Sequence, residues 1–174
     1  MKKIAIVPGS YDPATLGHID IIKRAAEIFD TVYAAIMVNS EKKGLFSPEE
    51  RLEILSSACR DLTNVKPIVW ASLSSELMSE TGAKFIVKGA RNATDFDYEH
   101  SLSEIMRHFS PDCDTVIFPS RPEYFHVSST YARELLKYGH DLSDIADKET
   151  AEVMKRIYNK SVHNLTAALK GGGF

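Results

Sequence analysis

The chain is poor in cysteine and has no long apolar run. Its only two cysteines among 174 residues, Cys59 and Cys113, form no CxxC pair and no metal-ligand spacing. A disulfide framework is therefore not expected, and we predict two packed free thiols in a reducing compartment, the cytoplasm. No apolar stretch approaches the length of a membrane span, and residues 4–7 are too short for the apolar region of a secretory signal.

The chain also lacks a basic excess. Its net charge is −3, which argues against a general nucleic-acid binder. No GxGxxG follows the first apolar run, which weighs against a dinucleotide-dependent oxidoreductase, and no Cys–His or Ser–His–Asp set for nucleophilic catalysis stands out. The predicted loops nevertheless gather cations that would attract a small polyanion: Lys42, Lys43, Lys88, Arg91 and Arg133.

Strand-like and helix-like segments alternate along the chain. Short apolar runs occur at residues 4–7, 32–38, 65–70, 85–87 and 115–118, and helical periodicity or capping signals follow each of them. This order predicts a single-domain α/β fold with a doubly wound, parallel, five-stranded sheet. Pro67 favours an edge position for the third strand. We expect the domain to span residues 1–158 and residues 159–174 to form a flexible tail.

The most informative stretch is residues 7–18, between the first strand and the first helix. A helix start beyond the carboxyl end of a strand offers free N–H groups to an anion. Gly9 and Gly17 would let a ligand approach the backbone, and Ser10, Thr15 and His18 supply donors. The alternative is an ordinary turn with a surface histidine, but the convergence of these residue types favours a phosphate-binding site.

Three later segments support the same site if their strands end at the same edge of the sheet. They are the polar loop that carries Lys42, the residues from Lys88 to Asp95, and the helix start at residues 128–130. Read alone, each has a simpler explanation, namely a solvated loop, a charged turn and a helix cap.

The motifs in these segments resemble a known family. Thr15-x-Gly17-His18 is similar to the signature of the T/HxGH nucleotidyltransferase superfamily, and residues 127–133 resemble its Ile-Ser-Ser-Thr-x-x-Arg motif. Residues 46–51 match a Phe-x-x-x-Glu-Arg pattern, and residues 88–99 resemble an Arg-Gly-x-Arg-x-x-x-Asp-Phe-x-Tyr-Glu block. These two identify the chain, from about Lys2 to about Tyr158, as similar to the phosphopantetheine adenylyltransferases.

The resemblance implies a Rossmann-like nucleotidyltransferase fold and an activity. ATP and pantetheine 4'-phosphate would give dephospho-coenzyme A and pyrophosphate by direct in-line attack, with Mg²⁺ carried by ATP, no protein metal site, and a homohexameric assembly. His18 would stabilise the transition state. The implied acceptor site is Ser10, Lys42, Leu73, Ser74 and Lys88. The implied ATP site is Ser10, Tyr11, His18, Gly89, Ala90, Arg91, Glu99, Tyr124, Phe125, His126, Val127, Ser128, Ser129 and Thr130.

Two positions depart from the family pattern. Lys88 stands where the family usually has arginine, which keeps the positive charge but loses the bidentate fork. Met106 stands where an asparagine usually contacts the pantetheine arm. Two alternatives therefore stay open: an adenylyltransferase of the same superfamily that acts on nicotinate mononucleotide, and a non-catalytic nucleotide-binding protein.

Overall fold

The computed structural model describes residues 2–39 and 43–171, with the backbone alone for 164–171. Five parallel strands form one sheet in the order β3-β2-β1-β4-β5. The strands are β1 (Ile4–Gly9), β2 (Thr31–Met37), β3 (Val65–Trp70), β4 (Phe85–Ala90) and β5 (Asp114–Pro119). The helices are α1 (Leu16–Ile28), α2 (Pro48–Ala58), α3 (Ser74–Thr81), α4 (Ala93–Phe109), α5 (Ser129–Tyr138) and α6 (Lys148–Gly171), with a short 3₁₀ turn at Pro122–Tyr124.

The sheet reverses its winding at β1. The chain proceeds outward from β1 through β2 to β3, returns to the other side of β1 as β4, and then proceeds to β5. The predicted doubly wound α/β fold is therefore confirmed, and β3 with Pro67 lies at the sheet edge as expected. The crevice between β1 and β4 at their carboxyl ends is the topological switch point, where such sheets bind ligands.

Apolar side chains cover both faces of the sheet. On one face, α1, α2 and α6 bury a cluster that includes Ile22, Leu55 and Met154. On the other face, α3 contributes Leu77 and Met78 to a second cluster. Burial of this kind on both faces explains why the strands have nearly continuous apolar sequences.

Local sequence signals set several helix ends. Ser47 and Glu50 form a capping box, in which the Ser47 amide donates to Glu50 Oε2 (2.8 Å) and the Glu50 amide donates to Ser47 Oγ (3.2 Å). Gly82 and Gly139 follow α3 and α5 with φ of 70° and 69°, a conformation that glycine adopts without strain.

Most element boundaries agree with the sequence prediction to within two residues, but two differ by more. β4 does not end at Val87, because its parallel pairing with β5 continues to the Ala90–Pro119 register, so Lys88, Gly89 and Ala90 are strand residues and not a loop. The last helix does not stop near Tyr158 but continues to Gly171. The absence of proline and glycine from residues 148–170 allows this continuation.

Both cysteines are buried free thiols, as predicted, and burial raises the pKa of Cys59 to about 12. None of the helices within residues 2–39 and 43–171 is both long enough and apolar enough to cross a membrane.

Candidate active site

A cleft of about 700 Å³ opens at the switch point. The carboxyl ends of β1 and β4, the start of α1 and the start of α5 form its walls. Its lining residues are Val7, Pro8, Gly9, Tyr11, Thr15, Gly17, His18, Ile21, Val87, Lys88, Gly89, Arg91, Asp95, Tyr98, Glu99, Ser120, Tyr124, Val127, Ser128, Ser129 and Thr130.

Tyr11 shapes the turn after β1. It has a positive φ of 45°, and its buried hydroxyl donates a hydrogen bond to the Val7 carbonyl (2.7 Å). A Cβ on Gly9 would lie only 3.1 Å from the Tyr11 ring, so any other residue here would have to shift this buried ring. Burial also raises the pKa of Tyr11 above its usual range. Tyr11 therefore contributes its ring to the cleft and not a free hydroxyl.

The local fold fixes which nitrogen of His18 can donate. His18 Nδ1 accepts a hydrogen bond from the Thr15 amide (3.1 Å) at the start of α1 and lies 2.9 Å from Thr15 Oγ1. The Tyr11 ring packs edge-on against the imidazole, with centroids 5.2 Å apart. Because Nδ1 accepts, the proton of the neutral ring is on Nε2. His18 therefore brings one N–H donor to the cleft.

His18 stays neutral at physiological pH. Burial, followed by the positive charge of Arg91, lowers the pKa of His18 from 6.5 to about 4. A neutral imidazole can donate to a phosphoryl oxygen but cannot act as a strong acid at pH 7. This arrangement is suited to stabilising developing charge by a hydrogen bond.

The depressed pKa of His18 makes a prediction about stability and pH. Between about pH 6.5 and pH 4 the unfolded chain binds a proton at His18 that the native protein does not bind, so this residue destabilises the native state progressively as pH falls. Denaturant unfolding of the wild type and of His18→Gln at pH 7 and pH 5 measures this contribution. We expect the wild type to lose more free energy of unfolding on acidification than the variant, and parallel losses would contradict the assignment.

A buried ion pair between Asp12 and Arg51 anchors the turn after β1 to the loop before α2. Asp12 Oδ2 accepts from the Leu45 amide (2.9 Å) and Oδ1 from the Phe46 amide (3.0 Å), while Arg51 Nε lies 3.3 Å from Oδ1. Arg51 Nε also donates to the Phe46 carbonyl (2.8 Å). A Cβ on Gly44 would come within 1.7 Å of Arg51 Nη2, so the loop passes too close to the guanidinium for any other residue.

Arg133 extends this anchor to α5. Its Nη1 donates to the Asp12 carbonyl (2.8 Å) and its Nη2 to Thr130 Oγ1 (3.0 Å). Ser129 Oγ donates to the Pro13 carbonyl (2.9 Å), and Ser128 Oγ caps the helix by accepting from the Tyr131 amide (3.1 Å). Arg133 thus positions the start of α5 from outside the cleft lining, whereas the sequence suggested a cation for a polyanion.

The two cations at the end of β4 each face a carboxylate of α4. Lys88 Nζ lies 3.2 Å from Glu99 Oε2, and Arg91 Nε lies 3.1 Å from Asp95 Oδ2. The Arg91 backbone amide also donates to Asp95 Oδ2 (3.1 Å), and these bonds lower the pKa of Asp95. The cleft therefore holds its cations in ion pairs.

A second carboxylate anchors the loop after β5. Buried Asp20 on α1 lies 3.3 Å from both Arg121 Nε and Arg24 Nη1. Arg24 Nη1 also donates to the Pro119 carbonyl (2.9 Å). Helix α1 thereby orients the segment that leads to Tyr124, on the cleft wall.

The structure brings most of the predicted site residues together. Those that line the cleft are Tyr11, His18, Lys88, Gly89, Arg91, Glu99, Tyr124, Val127, Ser128, Ser129 and Thr130. Those outside its lining are Ser10, Leu73, Ser74, Ala90, Phe125 and His126. Lys42 lies outside the described residues. The binding roles of all these residues remain predictions.

Three polar lining residues were not among the predicted site residues: Asp95, Tyr98 and Ser120. Ser120 directly follows β5, so its position at a carboxyl end was an available signal. Asp95 and Tyr98 lie in the first two turns of α4 and belong to the Asp-Phe-x-Tyr-Glu part of the block at residues 88–99, so that resemblance was the available signal.

Comparisons with known proteins agree with this geometry. Residues 6–135 match the model of the "Cytidylyltransferase-like" family. A protein of Lachnoclostridium phytofermentans named phosphopantetheine adenylyltransferase is 38% identical over 157 residues, which is 90% of this chain and 96% of that protein. One of the same name from Caldanaerobacter subterraneus is 36% identical, covering 91% and 99% of the two chains.

A solved structure shares the fold. It is described as a nicotinate-nucleotide adenylyltransferase from Vibrio parahaemolyticus, and it superposes with a TM-score of 0.67 over 88% of this chain and 92% of that one. Its sequence identity is 20%, so the likeness bears on the fold and not on the substrate.

Proposed function

Because the chain belongs to the phosphopantetheine adenylyltransferase family of nucleotidyltransferases, we propose that it transfers the adenylyl group of ATP to pantetheine 4'-phosphate. The products are dephospho-coenzyme A and pyrophosphate. This chain aligns with nearly the whole length of the relatives that carry this name, so the comparison extends over the entire catalytic domain.

The observation that carries the proposal is the state of His18. Its Nδ1 is held by Thr15, its ring is neutral, and its Nε2–H has no partner among the described residues. The donor lies on the wall of a cleft that also contains the N-terminal residues of α1 and α5, whose N–H groups and dipoles favour anions. A preorganised neutral donor beside two helix starts suits charge that develops on an α-phosphoryl group.

Gly17 provides room for a ligand in the same cleft. A Cβ at this position would meet no protein atom closer than 3.7 Å, and its φ is not positive. Neither packing nor backbone conformation therefore requires glycine here. The open space is consistent with a phosphate that approaches the α1 backbone.

The reaction needs little more than orientation and electrostatics. A phosphate monoester is already a nucleophile at neutral pH, so in-line attack on the α-phosphorus requires no strong base. His18 would donate to the α-phosphoryl oxygen, Arg91 with the start of α5 would hold the β- and γ-phosphates, and Lys88 with Ser10 and Lys42 would hold the acceptor phosphate. Holding the two reactants in line lowers the entropic part of the barrier.

The metal enters with the nucleotide. The two carboxylates that line the cleft, Asp95 and Glu99, are engaged by Arg91 and Lys88, and no group of three metal-ligating side chains occurs among the residues that the structure describes. In this proposal Mg²⁺ is held mainly by the triphosphate and binds as MgATP.

The assembly is a homohexamer in this proposal, and the protein acts in the cytoplasm. Helix α4 supports the first point, because it leaves large apolar side chains exposed in the single chain: Phe96 (48%), Tyr98 (63%), Ile105 (53%) and Phe109 (66%). The i, i+7, i+11 spacing places Tyr98, Ile105 and Phe109 on one face of α4, with Phe96 on the other side, and exposed apolar side chains that share a helix face are typical of an interface. The two free thiols support a reducing compartment.

Pyrophosphate release tests the proposal. With ATP fixed, pantetheine 4'-phosphate should support turnover and nicotinate mononucleotide should not, because the block at residues 88–99 resembles the pattern of the pantetheine-specific family. Equal or reversed rates with the two acceptors would refute the substrate assignment. Binding of ATP without turnover on either acceptor would favour a non-catalytic nucleotide-binding protein.

A further inference from the structure

Lys88 and Glu99 form an ion pair across the cleft. Lys88 lies near the end of β4 and Glu99 on α4, and Nζ is 3.2 Å from Oε2. The two side chains are only 24% and 16% exposed, respectively, so the pair is shielded from bulk water. Such a pair is screened much less by salt than a surface pair.

Glu99 has few other partners. Its Oε2 atom is buried and receives no geometrically good hydrogen bond from the described part of the chain. The nearby carboxylate of Asp95 differs, because it accepts from both the backbone amide and the Nε of Arg91. A partly buried carboxylate that depends on one ammonium group is a costly arrangement. The fold therefore keeps Glu99 where its main interaction is with Lys88.

An acceptor phosphate at Lys88 would meet this carboxylate. The phosphate monoester carries about two negative charges at neutral pH, as a phosphorylated side chain does. It would compete with Glu99 for the ammonium and would also be repelled by the carboxylate. After transfer, the same phosphorus lies within a diphosphate linkage and carries one charge fewer, so its competition for Lys88 is weaker.

We propose that Glu99 is the counter-ion that the acceptor phosphate displaces from Lys88 on binding and that recaptures Lys88 after transfer. This inference rests on the proposed function and assigns a regulating contact within the acceptor site. Glu99 lowers the affinity for the doubly charged acceptor and thereby favours release once the charge has decreased. The compact ammonium of lysine, with three rotatable donors, suits such an exchange.

The test is direct binding of pantetheine 4'-phosphate, measured by titration calorimetry without ATP. Glu99→Gln should bind it about threefold to tenfold more tightly than the wild type, because charge competition of this size is typical of a partly buried pair. The gain should become much smaller when Lys88 is also changed to Met. Glu104→Gln is the matched control, because Glu104 lies on the same helix, pairs with Arg107 at 3.1 Å and is outside the cleft lining.

Two results would overturn the inference: unchanged or weaker binding by Glu99→Gln, or the same gain in the Lys88→Met background. Glu99→Ala removes the same charge and should act in the same direction, which covers the case in which the glutamine variant folds poorly. The wild-type turnover assay distinguishes a failure of the counter-ion role from a failure of the proposed function. If the wild type adenylylates pantetheine 4'-phosphate but Glu99→Gln binds it no more tightly, the counter-ion role alone is wrong.

Discussion

Replacing His18 with alanine should lower kcat by about two to three powers of ten, the usual loss when one preorganised donor to a developing oxyanion is removed. The imidazole is held by Thr15 at Nδ1 and by the Tyr11 ring, so its Nε2–H is oriented before substrate binds. The donor acts mainly on charge that increases in the transition state. Kd for ATP should therefore change far less than kcat.

Steady-state kinetics and an independent ATP-binding measurement distinguish these effects. His18→Gln should recover part of the loss, because its amide N–H can reach the region of Nε2. His140→Ala is the control, since this exposed histidine lies outside the cleft lining. A near-normal kcat for His18→Ala would show that the residue is structural.

Replacing Asp12 with alanine should reduce the free energy of unfolding by about 3–5 kcal/mol, the usual loss when one partner of a buried ion pair is removed. The substitution leaves Arg51 without its carboxylate and removes the acceptor for the Leu45 and Phe46 amides. Asp12→Asn keeps an acceptor oxygen for one of these two amides but places an NH2 group against the other, so it should recover only part of the loss.

Urea unfolding without substrates, at one protein concentration, measures the effect. The fluorescence of Trp70, the chain's single tryptophan, provides a probe at the end of β3. Asp61→Ala is the matched control, because Asp61 is exposed and lies 3.7 Å from Arg60, so its loss should cost about 0–1 kcal/mol. A loss for Asp12→Ala as small as that of the control would mean that solvent reaches the Asp12–Arg51 pair.

The predictable part of the fold came from local signals. Hydrophobic runs located all five strands, and capping signals indicated helix ends, because such backbone chemistry depends on only a few neighbouring residues. The predicted end of β4 was wrong because the true end depends on pairing with β5, and Lys88 and Gly89 give no apolar signal for that pairing.

The site residues also fall into those that local motifs predict and those that only the tertiary structure brings together. The sequence predicted the positions of His18 and the start of α5 because their motifs are contiguous. It did not predict which charged residues form ion pairs with each other. Asp12 with Arg133 and Lys88 with Glu99 meet only through tertiary structure, and in a single sequence each resembles a solvated charge. The direction of Arg133, toward the first turn, follows from the packing of α5 and not from its motif.

The Asp12 anchor also has a consequence for synthesis on the ribosome. The Asp12 carboxylate accepts hydrogen bonds from the amides of residues 45 and 46. The Asp12 backbone carbonyl accepts a hydrogen bond from the guanidinium of Arg133, which lies 121 positions later in the chain. A nascent chain that ends between residues 51 and 132 contains the partners that anchor the loop before α2 but lacks Arg133, which bonds α5 to the first turn. Closing so long a loop is a late, non-local event. The cleft at the switch point is completed only after Arg133 has been synthesised, so products truncated before this residue cannot form the α5 wall as the full chain does.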